Sequence, residues 1–492
     1  MKKKLRALWA PAALLLLLTG CLFRPADDLY KPPEVPAEYD RLKAAIREVQ
    51  TGLEMEFGTS TDVAVILSGD NTATIQLQDL NGDGERESAV TFLKVPGVEK
   101  SLKIYVFAEK GEEYEVTGVV EGDGAAIYSV AYVDLNGRGS KELVVCWQIS
   151  TGVYQLGAYT LDELKPSARV ESPGAIPAMT PSEREGLLAT QLLLTGCGVA
   201  SNGTSVSSGF RLLDLDQDTR TEIALARMDP GGVGSQIEVY GWMEGAFQKV
   251  DSVALSPGST TLNRIGANYL KGELSPPALY VTSTIPEGGR VIDVVAYQSS
   301  GDGEKKALVN LSVDPETGTS VEQLWGYTDI LPMDINDDYV AEVPAPMLLP
   351  TYGEGTSVNF WLIDWWQYDE TGERDYVLTT YHNVQDSWYL EIPEKWRDRI
   401  ILTRNDQISG QREVVFSMWK GDDKSPQPFL SIYRLTGNNR SYIANAGNRF
   451  VLREEENVIY AAKFYDSKWD CGLDETDLIR SFKTIQTAWY SD

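Results

Sequence analysis

The sequence predicts a mostly β fold built from a repeated strand unit and followed by a small α+β domain. Three observations predict it. An acidic loop recurs four times with one internal spacing, and a short apolar run follows most of its copies. From about residue 388 that pattern stops, and strand-like runs lead to an amphipathic ending. Strands grouped apart from helices are the mark of an α+β unit.

In chain order, Lys2, Lys3, Lys4 and Arg6 precede an apolar stretch from Ala7 to Leu18. Residues 1–20 therefore read as a secretory signal peptide. The apolar stretch, 12 residues, is shorter than the roughly 20 a membrane-spanning helix needs. Leu18-Thr19-Gly20-Cys21 resembles the bacterial lipobox. That resemblance implies a diacylated Cys21 as the mature N-terminus, since two acyl chains anchor stably where one does not, and hence a place on the extracytoplasmic face of the cell membrane. Residues 21–38 hold Pro25, Pro32, Pro33 and Pro36 and read as an extended tether. Residues 39–59 read as a short helix and lead-in, with helical apolar spacing from Tyr39 to Val49.

At 492 residues and 42% apolar content the chain exceeds one ordinary domain and can build real cores. Its net charge is −28, and loss of residues 1–20 would deepen it. Nucleic acid and anionic lipid surfaces are poor partners for such a chain, whereas divalent cations suit it. With Cys21 acylated, Cys146, Cys197 and Cys471 remain, an odd number that leaves room for one Cys146–Cys197 bridge outside the cell. His382 is the sole histidine, which excludes zinc sites built on two. It has no nucleophile motif nearby and reads as a strand or surface residue rather than a catalytic base. P-loop, GxSxG, HExxH and dinucleotide signatures are absent from the sequence, and no catalytic residue is assigned.

The four loops are Asp79-Leu-Asn81-Gly-Asp83-Gly84-Glu-Arg-Glu87, Asp134-Leu-Asn136-Gly-Arg138-Gly139-Ser-Lys-Glu142, Asp214-Leu-Asp216-Gln-Asp218-Thr219-Arg-Thr-Glu222 and Asp334-Ile-Asn336-Asp-Asp338-Tyr339-Val-Ala-Glu342. Oxygens at positions 1, 3 and 5 of a tight loop converge, as calcium with its six to eight oxygen ligands requires, and glycine at position 6 permits the turn. An EF-hand carries its glutamate at position 12; here position 12 is Val90, Val145, Leu225 or Ala345. The Asp79 loop is complete, so the strongest calcium site is expected there. In the second loop Arg138 is expected to replace the cation by pairing with Asp134 and Glu142. The third (Asp214, Asp216, Asp218, Glu222) and fourth (Asp334, Asn336, Asp338, Glu342) lack the glycine and are expected to bind more weakly. Any calcium is expected to be structural.

An acidic loop of this spacing leading into strands such as Leu143 to Trp147 and Ile223 to Ala226 resembles the FG-GAP/VCBS repeats of integrin-type β-propellers. Together with Tyr30-Lys-Pro-Pro33 and the helical segment, it resembles lipid-anchored bacterial surface proteins carrying such repeats. The resemblance implies a propeller, calcium on inter-strand loops and an extracytoplasmic binding role. Counting a degenerate repeat at Ala267 to Gly272, the repeats start at 79, 134, 214, 268 and 334. About five blades then fill residues 60–387, six or seven if strands are merged. Segment 61–78 is expected to supply the ring-closing strand, Pro181 to Leu193 an inserted helix, and residues 388–492 the C-terminal α+β domain.

The function expected is a calcium-stabilised binding or scaffold module for an extracellular protein or glycan. The alternative is a carbohydrate-active enzyme using paired carboxylates on the propeller face, with Trp361 to Tyr368 lining a cleft. Trp361, Ile363 and Trp365 share one strand face, which favours a core. Trp388, Trp396 and Trp489 are likewise expected in cores.

Overall fold

A computed structural model of the chain describes residues 37–485 except 112, 162–180, 202–205, 300–305, 353–357, 420 and 422–424. The signal peptide, Cys21, most of the tether and Trp489 lie outside the described residues, as does most of the stretch before Pro181.

The protein is mostly β, in six antiparallel sheets of four or five strands, with two small hairpins besides. In sheet I, Asp62–Val63 and Ile75–Gln78 share one edge of Ser88–Lys94, followed by Leu102–Lys110 and Glu113–Gly122. Sheet II runs Ala126–Val133, Glu142–Ser150, Val153–Thr160, Thr190–Cys197. Sheet III runs Phe210–Leu213, Glu222–Arg227, Gln236–Met243, Ala246–Ala254. Sheet IV runs Thr261–Tyr269, Pro277–Thr284, Arg290–Ser299, Lys306–Asn310. Sheet V runs Glu342–Leu348, Trp361–Tyr368, Arg374–Asn383, Trp388–Ile392, Phe482–Thr484. Sheet VI orders Ile400–Asn405, Gln411–Met418, Gln427–Leu435, Ile459–Phe464 and Phe450–Glu454.

The sheets stack face to face in chain order, and the sequence shows why. Successive strand side chains point to opposite faces, so a strand with both faces covered needs an unbroken apolar run. In Leu143 to Trp147, Leu143, Val145 and Trp147 pack between sheets I and II, while Val144 and Cys146 pack between II and III. Ile223 and Leu225 then face sheet II while Ala224 and Ala226 face sheet IV. The same division places Leu279 and Val281 toward sheet III, and Ala278 and Tyr280 toward sheet V. One further cluster, with Leu362, Trp388, Trp396 and Phe416, joins V to VI.

Both ends of the stack are covered by helices. Helix α1 (Ala37–Phe57) lays Leu42, Ile46, Val49 and Leu53, spaced three or four residues apart as one helical face requires, on Ala89, Leu93, Tyr105 and Phe107 of sheet I. At the far end α2 (Arg440–Ala444) packs Ala444 with Tyr433, Leu435, Ile459 and Ala461 on the outer face of sheet VI. Among the described residues no buried cluster joins sheet I to sheet VI.

Four expectations need correction. Segment 61–78 closes no ring: it pairs with Ser88–Lys94 inside sheet I, and Leu67 and Ser68 donate to Ile127 and Tyr128 of sheet II. The inserted helix stops at Gly186, and Thr190 onward is a strand paired with Val153–Thr160. The boundary at 387/388 falls within sheet V, where Trp388–Ile392 pairs with Thr379–Asn383 and Phe482–Leu390 pairing brings the chain end back. The ending from Asp474 is a short capped helix to Ser481 followed by that strand. The strands expected in the C-terminal α+β domain form a sixth sheet of the same kind, whose loop departs from the pattern: Asn405 to Gly410, then Gln-Arg-Glu413, keeps the glycine and the position-9 glutamate but no acid at positions 1, 3 and 5. Pro344 and Pro346 are tolerated in Glu342–Leu348 because that strand is the edge of sheet V and ladders with Trp361–Gln367 on one side.

Candidate functional site

The first three acidic loops each join two paired strands of their sheet, whereas the fourth leads into Glu342–Leu348, the first strand of sheet V, and is flanked by an isolated Met333–Glu342 bridge; the loops form a row. Lys141 N–H donates to Leu80 O (2.8 Å) and Thr221 N–H to Asp134 O (3.2 Å), linking the first three loops. The Gln217 side chain donates to Leu274 O (3.5 Å) in the degenerate loop of sheet IV, and Ala341 N–H donates to Tyr269 O (3.4 Å). The first two loops touch backbone to backbone: a Cβ on Gly82 would lie 2.0 Å from the Gly139 carbonyl oxygen.

All four loops follow one path. Positions 4 and 6 have positive φ throughout: Gly82 and Gly84, Gly137 and Gly139, Gln217 and Thr219, Asp337 and Tyr339. The position-1 aspartate holds this path by accepting main-chain N–H groups from further along the loop. Asp79 takes Gly82 and Gly84, Asp134 takes Gly137, Arg138 and Gly139, Asp214 takes Asp218 and Thr219, and Asp334 takes Asp338 and Tyr339. The left-handed region costs a non-glycine residue about 1–3 kcal/mol, and these bonds over-determine it in the third and fourth loops. In the second, third and fourth loops the position-9 glutamate is buried and accepts the position-2 amide: Leu135 to Glu142 (2.8 Å), Leu215 to Glu222 (2.8 Å) and Ile335 to Glu342 (2.9 Å).

The loops differ at their centres. In the Asp79 loop the Asn81 side-chain amide donates to Asp83 Oδ2 (2.9 Å) and to Glu87 Oε1 (2.5 Å), so a proton donor stands where a cation would. In the second loop Asn136 donates to Glu142, while Arg138 is exposed and its expected pairing with Asp134 and Glu142 is not made. In the third loop, Asp216 replaces the asparagine, and oxygens of Asp214, Asp216, Asp218 and Glu222 all lie within 4.8 Å of one another. Asp334, Asp338 and Glu342 converge likewise in the fourth, where Gln367 donates to Asp338 Oδ2 (2.7 Å) and Glu342 Oε1 (2.8 Å), and Asn336 to Asp338 Oδ2 (2.9 Å). Among the described residues the carboxylates gather in the two loops without glycine, and not at Asp79, where the complete motif lies.

The electrostatics follow the geometry. Burial, and then the neighbouring aspartates, push the Glu222 carboxyl up to about 8 against the opposing Leu215 amide. Burial and Asp218 also raise Asp216. Glu342 is pushed up to about 7, chiefly by burial. Asp338 goes the other way: burial opposes, but the Gln367, Val340 and Asn336 donors hold it below the usual range. Arg220 stands at the rim of the third loop, 3.8 Å from Asp218. Four carboxylates around one point repel one another strongly in a partly buried site, and a divalent cation or a shared proton relieves that repulsion. The third loop offers carboxylate oxygens suited to a hard cation.

The remaining candidates are structural in place. His382 is buried between the rings of Trp365 (5.8 Å) and Tyr389 (5.1 Å), and burial pushes it down to about 3, so it stays neutral. The strand Trp361–Tyr368 is covered on both faces, with Leu362 toward sheet VI and Ile363 and Trp365 toward sheet IV. Trp388 and Trp396 are fully buried. Cys146 and Cys197 are free thiols on strands separated by Val153–Thr160. The neighbouring Cys197 thiol, and then burial, push the Cys146 thiol up, so the two side chains meet across that strand. A cavity of about 220 Å³ beside the fourth loop is lined by Arg264, Asn268, Tyr280, Met333 and Asp334, among others; ligand pockets usually span roughly 300–1,000 Å³.

No family model matches the chain, and no curated protein matches it. Among solved structures, the exotype rhamnogalacturonan lyase YesX gives a TM-score of 0.27 at 12% identity, over 74% of each chain. The Bacillus licheniformis rhamnogalacturonan lyase PL11 gives 0.27 at 13% identity, over 74% of this chain and 77% of that one. BBS1N, solved in complex with ARL6DN, gives 0.25 at 12% identity, over 83% and 96%. At these scores the overlaps are too loose to bear on chemistry.

Proposed function

We propose that this protein is a lipid-anchored, extracytoplasmic binding or scaffold module, stabilised by calcium and built as a propeller-like array. The six sheets act as its blades, one more than the acidic loops and the degenerate repeat indicate. The convergence of Asp214, Asp216, Asp218 and Glu222 carries the calcium reading. Asp334, Asp338 and Glu342 form a second, weaker site, because Gln367 and Asn336 already satisfy part of their charge. The metal fits the donor set: hard carboxylate oxygens on a tight loop, with no nitrogen or sulfur ligand. Its role is to neutralise and hold the loop row.

A binding role for protein or glycan rests on that row, a rigid face made of loops positioned by sheets, which is where binding residues gather. The rival reading as a carbohydrate-active enzyme loses the cleft it would use, because Trp361–Tyr368 lies inside two cores.

Isothermal titration of the chain with calcium after treatment with EDTA tests the reading. Saturable binding that Asp216→Asn weakens about tenfold or more supports it; heat no greater than that of buffer dilution removes the calcium assignment. The anchor is tested separately: Cys21→Ala should release the protein from the membrane fraction, and unchanged retention would overturn lipidation.

A further inference from the structure

In a chain of net charge −28, one place gathers arginines. Arg404 lies near the end of the first strand of sheet VI, Arg412 near the start of the second and Arg434 near the end of the third. Arg404 and Arg412 flank the 406–410 turn between two paired strands, the position the acidic loop takes in sheets I, II and III. All three guanidiniums converge on Asp386, a buried residue in the short turn between two strands of sheet V. Arg412 Nε lies 3.1 Å from Oδ1, Arg434 Nε 4.0 Å from Oδ1 and an Arg404 guanidinium nitrogen 4.0 Å from Oδ2. Asn383 already donates to Oδ2 (3.0 Å). Arg404 also meets Asp406 through Nε (2.6 Å), and Glu455, the other nearby acid, is paired with Arg453 (3.2 Å).

Three arginines therefore share two carboxylates, and one positive charge is left over. Arg412 and Arg434 are direct cross-strand partners, an arrangement in which like charges destabilise a sheet. One arginine would suffice to neutralise Asp386. The side chains of Arg404, Arg412 and Arg434 keep 21%, 32% and 24% of their surface exposed, so solvent reaches the trio from outside while Asp386 closes it from within. Guanidiniums bind oxyanions through parallel N–H donors and are weakly hydrated, which suits them to this task better than lysine.

We propose that Arg404, Arg412 and Arg434 form a binding site for a small oxyanion of the phosphate or sulfate type, at the sheet V–sheet VI junction. The anion supplies the missing negative charge and separates Arg412 from Arg434. This site is independent of the calcium loops.

The test is titration of the full chain with inorganic phosphate, and separately with sulfate, against sodium chloride of equal ionic strength. Saturable binding is expected for both oxyanions, weakened tenfold or more by Arg434→Gln. Asp386→Asn should tighten binding several-fold, because it removes the internal competitor for the same donors. Absence of saturable binding, or equal binding by wild type and Arg434→Gln, overturns the proposal. Should Arg434→Gln fail to fold by circular dichroism, Arg434→Lys keeps the charge and loses the fork; binding unchanged in Arg434→Lys and untightened in Asp386→Asn overturns it equally.

Discussion

In the Asp79 loop two glycines occupy the left-handed positions and the Asn81 amide fills the centre; in the Asp214 loop Gln217 and Thr219 occupy the same positions, and Asp216 adds a carboxylate where the amide stood. The path is the same because the position-1 aspartate makes the same kind of main-chain bonds in both. The charge differs because position 3 differs. Glycine content therefore reports how cheaply the turn forms, and position 3 reports whether it asks for a cation.

The comparison is sharpest at the buried glutamates. Glu142→Ala would remove the acceptor of the buried Leu135 N–H and one partner of Asn136, and should cost about 2–4 kcal/mol in urea unfolding. Glu87 is only half-buried, and Glu87→Ala should cost less than about 1 kcal/mol. Equal costs would break the distinction between structural and peripheral position-9 carboxylates.

Exchanging position 3 should exchange the cation behaviour. Asn81→Asp should confer a calcium-dependent rise in melting temperature on the first loop, and Asp216→Asn should abolish that of the third. Saturation at a hundred times the dissociation constant is worth about 2.7 kcal/mol. A calcium response that ignores both changes would place the ion elsewhere.

Exchanging glycine is expected to matter less and in opposite directions. Thr219→Gly relieves a left-handed β-branched residue at φ 76° and should stabilise by about 1 kcal/mol. Gly84→Ala, at φ 93°, should destabilise by about the same amount. Loss of stability in Thr219→Gly would show that the threonine side chain contributes more than its strain.

A slope with pH checks the same comparison from the protonation side. Glu222 is raised to about 8 in the native state, above the roughly 4.3 of an unfolded glutamate. The native state therefore holds this proton more tightly, and its stabilising contribution is complete below about pH 4 and lost as pH rises through 8. In EDTA the melting temperature of wild type should fall between pH 6 and 8.5 relative to Glu222→Gln. Parallel curves would remove the raised carboxyl.

Much of the repeat was legible because loop and strand report together. Asp79, Asp134, Asp214 and Asp334 each mark a strand connection, and the apolar runs behind most of them are the strands covered on both faces. Ala267 to Gly272 was legible as a degenerate copy because Pro277 to Val281 keeps that run. Sheet VI was not, since only Gly410 and Glu413 survive of its loop. The amide at the centre of the Asp79 loop was hidden for a different reason: asparagine carries a donor and an acceptor on one group, and sequence does not say which turns inward. The contact of Asp386 with Arg404, Arg412 and Arg434 joins two sheets, and no local pattern marks it.

Among the described residues each sheet packs on the sheets or helix beside it, with α1 and α2 at the two ends. Such a stack behaves as a one-dimensional chain of nearest neighbours. Opening begins where a unit has a single sheet neighbour, so amide exchange should be slowest in sheets III and IV and quicken toward both ends. Damage in one unit weakens its neighbours and is diluted beyond them. The length of such an array can change by whole units during evolution, provided that each terminal sheet keeps a helix over its outer face.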